Sequence, residues 1–214
     1  MKYHKLVENA KKPNGFWGKM MIKAMNKGHS SLTSWGLEHM NIERTATVLD
    51  IGCGGGKTVD RLCSMVANGK VYGIDYSELS VKSSEKLNSK NILCNKAKIL
   101  QASVSDMPFD DNTFDNITAV ETYYFWPDKE NDVKEVFRVL KQGGTVMLLF
   151  EMLRTDDDPF KWEKVENMLN IKSVTPQEIR AVLESAGFEN INTYTKEGTT
   201  WLCATAQKPK DDEN

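Results

Sequence analysis

Short apolar runs alternate with amphipathic stretches along this chain, from residue 46 nearly to its end. In the amphipathic stretches apolar residues recur at helical spacing, as Val133, Val136 and Leu140 do in the third of them. The predicted strands cover residues 48–51, 70–75, 99–100, 114–120, 145–150, 188–194 and 201–206. The predicted helices cover residues 57–67, 77–90, 128–140 and 175–187. Alternating βα units predict an α/β fold with a mostly parallel sheet and helices on both faces.

Local signals mark several element ends. Thr175, Pro176 and Glu178 are typical of a helix start, with a cap, a proline in the first turn and an acidic residue. Gly143 and Gly144 predict the end of the third helix. A turn between the last two strands predicts a hairpin that adds an antiparallel strand at the sheet edge.

Two segments stand outside this alternation. Residues 1–45, with a predicted helix around 19–26, are expected to form an N-terminal helical cap. Residues 152–174 interrupt the last βα unit and are expected to form a cap insertion. Both lie where loops beyond the carboxyl ends of the strands can cover a ligand. The expected organisation is therefore this cap, one binding domain over residues 46–207 and a charged, solvated tail at 208–214.

Composition describes a soluble globular protein. The 214 residues are 40% hydrophobic and 27% charged, with a formal net charge of −2. Because acidic and basic residues are interspersed, the chain lacks the overall basic character typical of nucleic-acid-binding proteins, and no nucleic acid is expected as a partner. The four cysteines lack metal-ligand spacing, which predicts reduced thiols and no metal site. No run approaches the ~20 apolar residues of a membrane span, so a cytoplasmic protein without a membrane partner is expected.

The run TVLDIGCGGG at residues 47–56 carries the most specific chemistry. A strand, a glycine turn and a helix bring backbone N–H groups up to a polar ligand. A phosphate loop would need a glycine where Ile51 stands, and a dinucleotide loop would need one in place of Lys57. Asp50, at the strand end, suits a ligand with a cationic amino group better than a diphosphate.

These residues resemble motif I of the class I S-adenosylmethionine-dependent methyltransferases. Three further segments continue the resemblance in order: VYGIDYS at 71–77, MPF followed by DDNTFD at 107–115, and VFRVLKQGGT at 136–145. The resemblance covers residues 45–207 and favours the small-molecule branch that includes the ubiquinone-biosynthesis type. It implies a Rossmann-like seven-stranded sheet of order 3-2-1-4-5-7-6. It also implies S-adenosyl-L-methionine as the cofactor and S-adenosyl-L-homocysteine as the product.

The resemblance implies a donor site along the strand ends. Asp75 is expected to accept the ribose hydroxyls, and the glycine loop to pass close to the methionine and ribose. Asp50 is expected to orient that loop or meet the ammonium group. The adenine edge is read after the third strand, where Ser103 stands at the usual Asp position. The expected donor-binding residues are Asp50, Gly52, Cys53, Gly54, Gly56, Asp75, Tyr76, Ser103, Val104, Ser105 and Glu121.

Three residues are candidates for the chemistry. The resemblance brings the methyl group and its acceptor near residues 121–127, where Glu121 and Tyr124 are candidates, and His29 is the third. A base is needed only when the acceptor must lose a proton. His29 fits a solvated helix end better than a base. The aromatic run fits core packing as well as an acceptor pocket, and Tyr76 fits adenine packing and an ordinary half-buried position equally.

The expected function is methyl transfer to a small-molecule acceptor, by a monomer or homodimer. No Asn/Asp-Pro-Pro-Tyr/Phe signature follows the fourth strand, which argues against methylation of adenine bases or glutamine. Two alternatives stay open: an RNA or protein methyltransferase of the same fold, and a protein that binds S-adenosylmethionine without turnover. The glycine loop indicates the donor and leaves the acceptor atom undetermined.

Overall fold

The structure is a computed structural model, and it describes residues 30–210. Seven strands form one sheet: β1 (Thr47–Ile51), β2 (Lys70–Asp75), β3 (Ala97–Gln101), β4 (Phe114–Val120), β5 (Leu140–Phe150), β6 (Glu189–Thr195) and β7 (Leu202–Gln207). Their order is β3-β2-β1-β4-β5-β7-β6. Among the described strands, β7 pairs antiparallel with both β5 and β6, and the other four pairings are parallel. The expected α/β, Rossmann-like sheet and its strand order are confirmed.

Helices cover both faces of this sheet. They are α1 (Ser30–Leu37), α2 (Lys57–Met65), α3 (Glu78–Leu87), α4 (Ser89–Leu93), α5 (Lys129–Val139), α6 (Glu163–Leu169) and α7 (Pro176–Ser185). Successive side chains of β5 point to opposite faces of the sheet, so the strand contributes to two separate hydrophobic cores. Met147 and Leu149 pack with α1 and α2, whereas Leu148 and Phe150 pack with α5 and α7.

The junction between α5 and β5 differs from the expectation. The helix ends at Val139, and Leu140 already has an extended backbone, with φ −76° and ψ 134°. Gly143 and Gly144 therefore lie within the strand, and the prediction that they end the helix is wrong. Gly143 has φ +71°, and the pairing of β5 with β4 shifts register in this region. The two glycines accommodate an irregularity in the strand.

The last two strands form the expected hairpin, but its antiparallel strand lies inside the sheet. β7 pairs with both β5 and β6, so the edge strand is β6. Lys208, which follows β7, is 9% exposed. Its ammonium donates to Asn112 Oδ1 and to Phe137 O, both at 2.8 Å. The packed chain therefore extends through the first residue of the predicted tail.

Of the predicted N-terminal cap, residues 30–45 are described, and the helix expected at 19–26 lies outside the described residues. α1 packs on a face of the sheet. Gly36 approaches it so closely that a Cβ there would lie 2.7 Å from the Leu149 side chain. Trp35 packs on Trp201, with ring centroids 5.9 Å apart. The described part of the segment thus covers the sheet.

The insertion leaves the sheet at the carboxyl end of β5 and closes on itself. Leu153 pairs with Val174 in an isolated bridge. Trp162 Nε1 donates to Leu153 O (3.1 Å), and Glu166 Oε1 accepts from Ser173 N (2.7 Å). These bonds fix α6 at the edge where β5 ends.

Between residues 30 and 210, no helix combines the length and the apolar character needed to cross a membrane.

Candidate active site

The segments that follow β1 to β4 meet at the carboxyl edge of the sheet. Backbone bonds join them: Cys53 N donates to Ile74 O (2.9 Å), and Ala102 N donates to Asp75 O (3.2 Å). The strand order reverses between β1 and β4. Open α/β sheets bind ligands at such a switch point.

Asp75 ends β2 and is 8% exposed. Its Oδ2 accepts from the Gly54 N–H (2.9 Å) and its Oδ1 from the Ser77 N–H (2.8 Å). Burial raises the pKa of Asp75, and hydrogen bonds from the Ser77 and Gly54 backbones and from the Ser80 side chain oppose the rise. A carboxylate has about four acceptor sites, so one remains beside these three hydrogen bonds. The side chain is therefore held beside the glycine loop and can still accept from a ligand hydroxyl.

Three of the four glycines in the loop have left-handed backbones, with φ +69° at Gly52, +52° at Gly54 and +81° at Gly56. A Cβ on Gly52 would lie 2.2 Å from Thr122 Oγ1, and one on Gly56 would lie 2.4 Å from Ser84 Oγ. The protein's own packing thus excludes side chains at these two positions. A Cβ on Gly54 would meet no atom closer than 4.0 Å. Open space therefore lies at Gly54, the residue that donates to the acid of β2.

Asp50 and Cys53 are buried at the base of the loop, at 2% and 6% exposure. Asp50 Oδ1 accepts from Thr118 Oγ1 (2.7 Å). Burial raises the pKa of Asp50 to about 7, and the charge of Asp75 adds to the rise. Burial also raises the pKa of the Cys53 thiol well above its usual value. Both side chains are packed inside the protein.

The turn after β3 presents small polar groups at the same edge. Ser105 N donates to Ser103 Oγ (3.2 Å), and Val104 between them is buried. Tyr76 follows the acid of β2 and is 41% exposed. Gln101 Nε2 donates to Tyr76 O (3.2 Å), which joins the segments after β2 and β3. The turn thus offers backbone groups and serine hydroxyls near an exposed aromatic ring.

Glu121 and Tyr124 form a hydrogen-bonded pair after β4. Glu121 has φ +57°, an uncommon backbone conformation for this residue type. Its Oε1 accepts from the Glu151 backbone N–H and from Tyr124 Oη, the latter at 3.3 Å. Tyr124 Oη in turn accepts from Met152 N (3.0 Å). The pair therefore connects the ends of β4 and β5.

The two groups differ in how they titrate. Burial raises the pKa of Glu121 to about 8, and the charge of Glu151 adds to the rise. Burial raises the pKa of Tyr124 well above its ordinary value. Glu121 can therefore exchange a proton near neutral pH, whereas Tyr124 stays a phenol.

A crevice of about 620 Å³ opens beside this pair. Residues that follow β2 and β4 line it together with residues of the insertion: Tyr76, Tyr124, Phe125, Trp126, Lys129, Glu166, Asn167, Asn170, Ile171 and Lys172. Trp126 is 6% exposed, and its Nε1 has no hydrogen-bond partner among the residues that the structure describes. The crevice thus joins the donor edge, through Tyr76, to the insertion.

Some site residues were missed by the sequence reasoning, and one predicted residue falls outside the described range. Thr118 was missed, although a lone hydroxyl within an apolar strand is a usable signal for a buried hydrogen bond. The sequence shows Trp126 only as part of an aromatic run. The left-handed backbone of Glu121 carried no signal, since glycine and asparagine are the residues typical of it. His29 lies outside residues 30–210.

Comparisons with known proteins agree with this geometry. The model of the methyltransferase domain family matches residues 49–148. The ubiquinone/menaquinone biosynthesis C-methyltransferase UbiE of Cronobacter sakazakii is 31% identical over 181 residues, covering 73% of this chain and 72% of that protein. The chain belongs to the S-adenosylmethionine-dependent methyltransferases. S-adenosylmethionine is therefore the cofactor of this methyltransferase.

Two further proteins are similar to this methyltransferase over nearly their whole length. The uncharacterized methyltransferase YdaC of Bacillus subtilis is 27% identical over 183 residues, which are 85% of this chain and 93% of that protein. A solved SAM-dependent methyltransferase from Aquifex aeolicus has a TM-score of 0.68 at 22% identity, covering 87% of this chain and 96% of that one. The latter shows a shared fold.

The residues at the carboxyl edge of the methyltransferase fit its cofactor. S-adenosylmethionine carries hydroxyl groups, an amino acid group and an adenine ring. Binding these groups requires hydrogen-bond acceptors, hydrogen-bond donors and an aromatic surface. Asp75 can accept, the open space at Gly54 leaves room, and Tyr76 offers an exposed ring. The side chains and backbone groups at this edge are thus chemically complementary to S-adenosylmethionine.

Proposed function

We propose that this methyltransferase transfers the methyl group of S-adenosylmethionine to a small-molecule acceptor that binds in the crevice beside Tyr76 and Tyr124. The crevice carries the proposal, because its volume of about 620 Å³ suits a small molecule. A relative named for ubiquinone and menaquinone biosynthesis supports an acceptor of that class. Lys129 and Lys172 share the crevice with Glu166, which favours a small acceptor over an RNA backbone.

For the donor, we propose that Asp75 accepts the ribose hydroxyls and that the backbone of residues 52–56 follows the methionine portion. The open space at Gly54 beside the Asp75 carboxylate supports this assignment. The burial of Asp50 favours the role of orienting the loop over direct contact with the ammonium group. Tyr76 is proposed to pack on the adenine and residues 103–105 to read its edge, since Tyr76, Ser103 and Ser105 lie exposed or half-exposed at this edge.

Bound S-adenosylmethionine supplies a methyl group on a sulfonium, so aligning the nucleophile provides most of the acceleration. Tyr124, which lines the crevice, donates to Glu121 and so links the crevice to this carboxyl group. Where the acceptor must lose a proton, we propose Glu121 as the base, because its pKa of about 8 lies near neutrality. His29 stays a predicted alternative for this role.

The test is to incubate the purified protein with methyl-labelled S-adenosylmethionine and a cell extract separated into small-molecule, RNA and protein fractions. We expect the label in the small-molecule fraction. Label in the RNA or protein fraction contradicts the proposed acceptor class. Donor binding by calorimetry with no label in any fraction contradicts catalysis and supports a non-catalytic binding protein.

Glu121→Gln is the variant that tests the base, since it keeps an oxygen that can accept from Tyr124. We expect its turnover to fall and its pH profile of kcat/KM to lose the dependence on a group that titrates near pH 8. An unchanged profile with the identified acceptor would exclude Glu121 as the base.

A further inference from the structure

Arg138, near the end of α5, uses every donor of its guanidinium group. Nε and Nη2 donate to the two carboxylate oxygens of Glu135, at 2.7 and 2.8 Å. Nη1 donates to Phe109 O (2.8 Å) and to Asp111 Oδ1 (2.7 Å), and Nη2 also donates to Met107 O (3.3 Å). Because an arginine has five N–H groups in a fixed plane, this arrangement leaves none of them over.

Glu135 completes the contact with the same segment. Its Oε1 accepts from Met107 N (2.9 Å), so the backbone of Met107 is bound at both its N–H and its C=O. The hydrogen bond from Arg138 lowers the pKa of Glu135, which keeps the carboxylate charged. The side chains of Arg138 and Glu135 are 33% and 16% exposed, so water only partly screens the pair. We call these two side chains the α5 clasp.

The segment held by the α5 clasp begins where the turn after β3 ends. Residues 103–106 make that turn, and the bond from Ala102 N to Asp75 O (3.2 Å) anchors their upstream end. Met107, with a side chain 3% exposed, anchors their downstream end through the clasp. Between these anchors the turn makes short-range bonds, such as that from Ser105 N to Ser103 Oγ (3.2 Å). The orientation of the turn therefore depends on both anchors.

We propose that the α5 clasp is a positioning device for the turn that recognises the adenine ring of the donor. This inference rests on the proposed function, which assigns residues 103–105 to the adenine edge. Arg138 and Glu135 act through the turn and are positioning residues. Lysine cannot substitute for Arg138, since an ammonium group has three donors and lacks the planar fork.

The experiment compares two ligands in calorimetry: S-adenosylhomocysteine and S-inosylhomocysteine. In the second, an oxygen replaces the 6-amino group of the purine, which reverses the hydrogen-bonding pattern of the edge. We expect wild type to prefer S-adenosylhomocysteine by roughly tenfold or more, the effect of one or two hydrogen bonds. Arg138→Lys should reduce this preference several-fold, mainly by weakening S-adenosylhomocysteine. A loss of stability alone would weaken both ligands alike.

Arg180→Lys is the matched control, because it makes the same change in an exposed pair with Glu184 on α7. It should keep the wild-type preference. If Arg138→Lys does not fold by circular dichroism, Glu135→Gln gives the same comparison, since it keeps one oxygen that can accept from Met107.

The outcomes distinguish a failure of the proposed function from a failure of the inference about the α5 clasp. Failure of wild type to bind S-adenosylhomocysteine contradicts the proposed function. Binding without a preference between the two ligands overturns the inference, because the turn then does not read the edge. An unchanged preference in the clasp variant, or equal weakening of both ligands, also overturns it.

Discussion

Three carboxyl groups of the site differ in their surroundings, and the differences decide what each can do. Asp75 accepts from two backbone N–H groups and keeps capacity for a ligand. Asp50 is buried and bonded to Thr118, which confines it to holding the loop. Glu121 lies between the ends of β4 and β5, and burial raises its pKa to about 8. These surroundings suit the three side chains to the different roles proposed for them: ligand acceptor, support of the loop and proton-exchanging group.

Asp75→Asn tests the first of these roles. The amide loses the negative charge and turns one acceptor oxygen into a donor. We expect the affinity for S-adenosylhomocysteine to fall roughly 10- to 100-fold, the range for a hydrogen bond to a charged group. Isothermal titration calorimetry measures the change, with the exposed Glu184→Gln as a control that binds like wild type. An unchanged Kd would remove Asp75 from ribose recognition.

At the scale of elements, the glycine loop separates packing from binding. Gly52 and Gly56 lie against protein atoms, whereas Gly54 faces open space. All three have positive φ, so the backbone cost of adding a side chain is similar at each. A difference in cofactor affinity among alanine substitutions at these three positions should therefore reflect contact with the ligand.

Gly54→Ala should weaken donor binding at least tenfold while destabilising the protein by about 1–2 kcal/mol, the cost of a left-handed alanine. Gly52→Ala should destabilise more, by about 1–3 kcal/mol further, because its Cβ overlaps Thr122. Gly198→Ala, at φ +70° with nothing within 4 Å, is the control for the backbone cost alone. Urea unfolding and calorimetry measure both quantities. Equal donor affinity in the Gly54 and Gly198 variants would argue against a ligand at Gly54.

Sequence patterns predict these elements where the signal is local. β2 and β4 lie where their apolar runs predict them, and α7 begins at Pro176 after the Thr175 cap. The break between α3 and α4 was missed. It lies at Asn88, whose buried amide donates to Gly56 O (3.0 Å), a partner distant in sequence. A pattern within one helix holds no information about such a partner.

For the site, too, local sequence patterns do not reveal partners that are distant in the chain. The acids and glycines stand in a motif, so their positions could be predicted from spacing. The bond between Asp50 and Thr118 joins residues 68 positions apart. The α5 clasp joins two segments that the sequence shows only as separate motifs. Which groups titrate near neutrality therefore follows from the folded structure.

At the scale of the whole molecule, stability should depend on pH through two of the buried acids. Burial raises the pKa of Asp50 to about 7 and that of Glu121 to about 8. The folded protein thus holds protons that the unfolded chain releases near pH 4. The stability that these two groups contribute is fully present below that pH and is lost as the pH rises through their folded pKa values.

We therefore expect the free energy of unfolding to decrease from about pH 5, just above the pKa of unfolded carboxyl groups, to about pH 8, and to level off at higher pH. Asp50→Asn and Glu121→Gln should each reduce this slope, as measured by urea unfolding at several pH values. Glu178→Gln is the control: hydrogen bonds from Thr175 and Arg154 lower the pKa of Glu178, so it titrates outside this range. Slopes that are identical in wild type and both variants would contradict the proton binding.

The position of β7 inside the sheet has a consequence for synthesis of the protein. β5, an 11-residue strand rich in apolar side chains, pairs with β4 on one side and β7 on the other. During translation β5 leaves the ribosome well before β7, with the insertion, α7 and β6 between them. Until β7 emerges, β5 exposes a row of unpaired backbone groups, the kind of edge that recruits strands from other chains. The pairing of β5 on this side is therefore completed only after the last strand of the sheet has been synthesised.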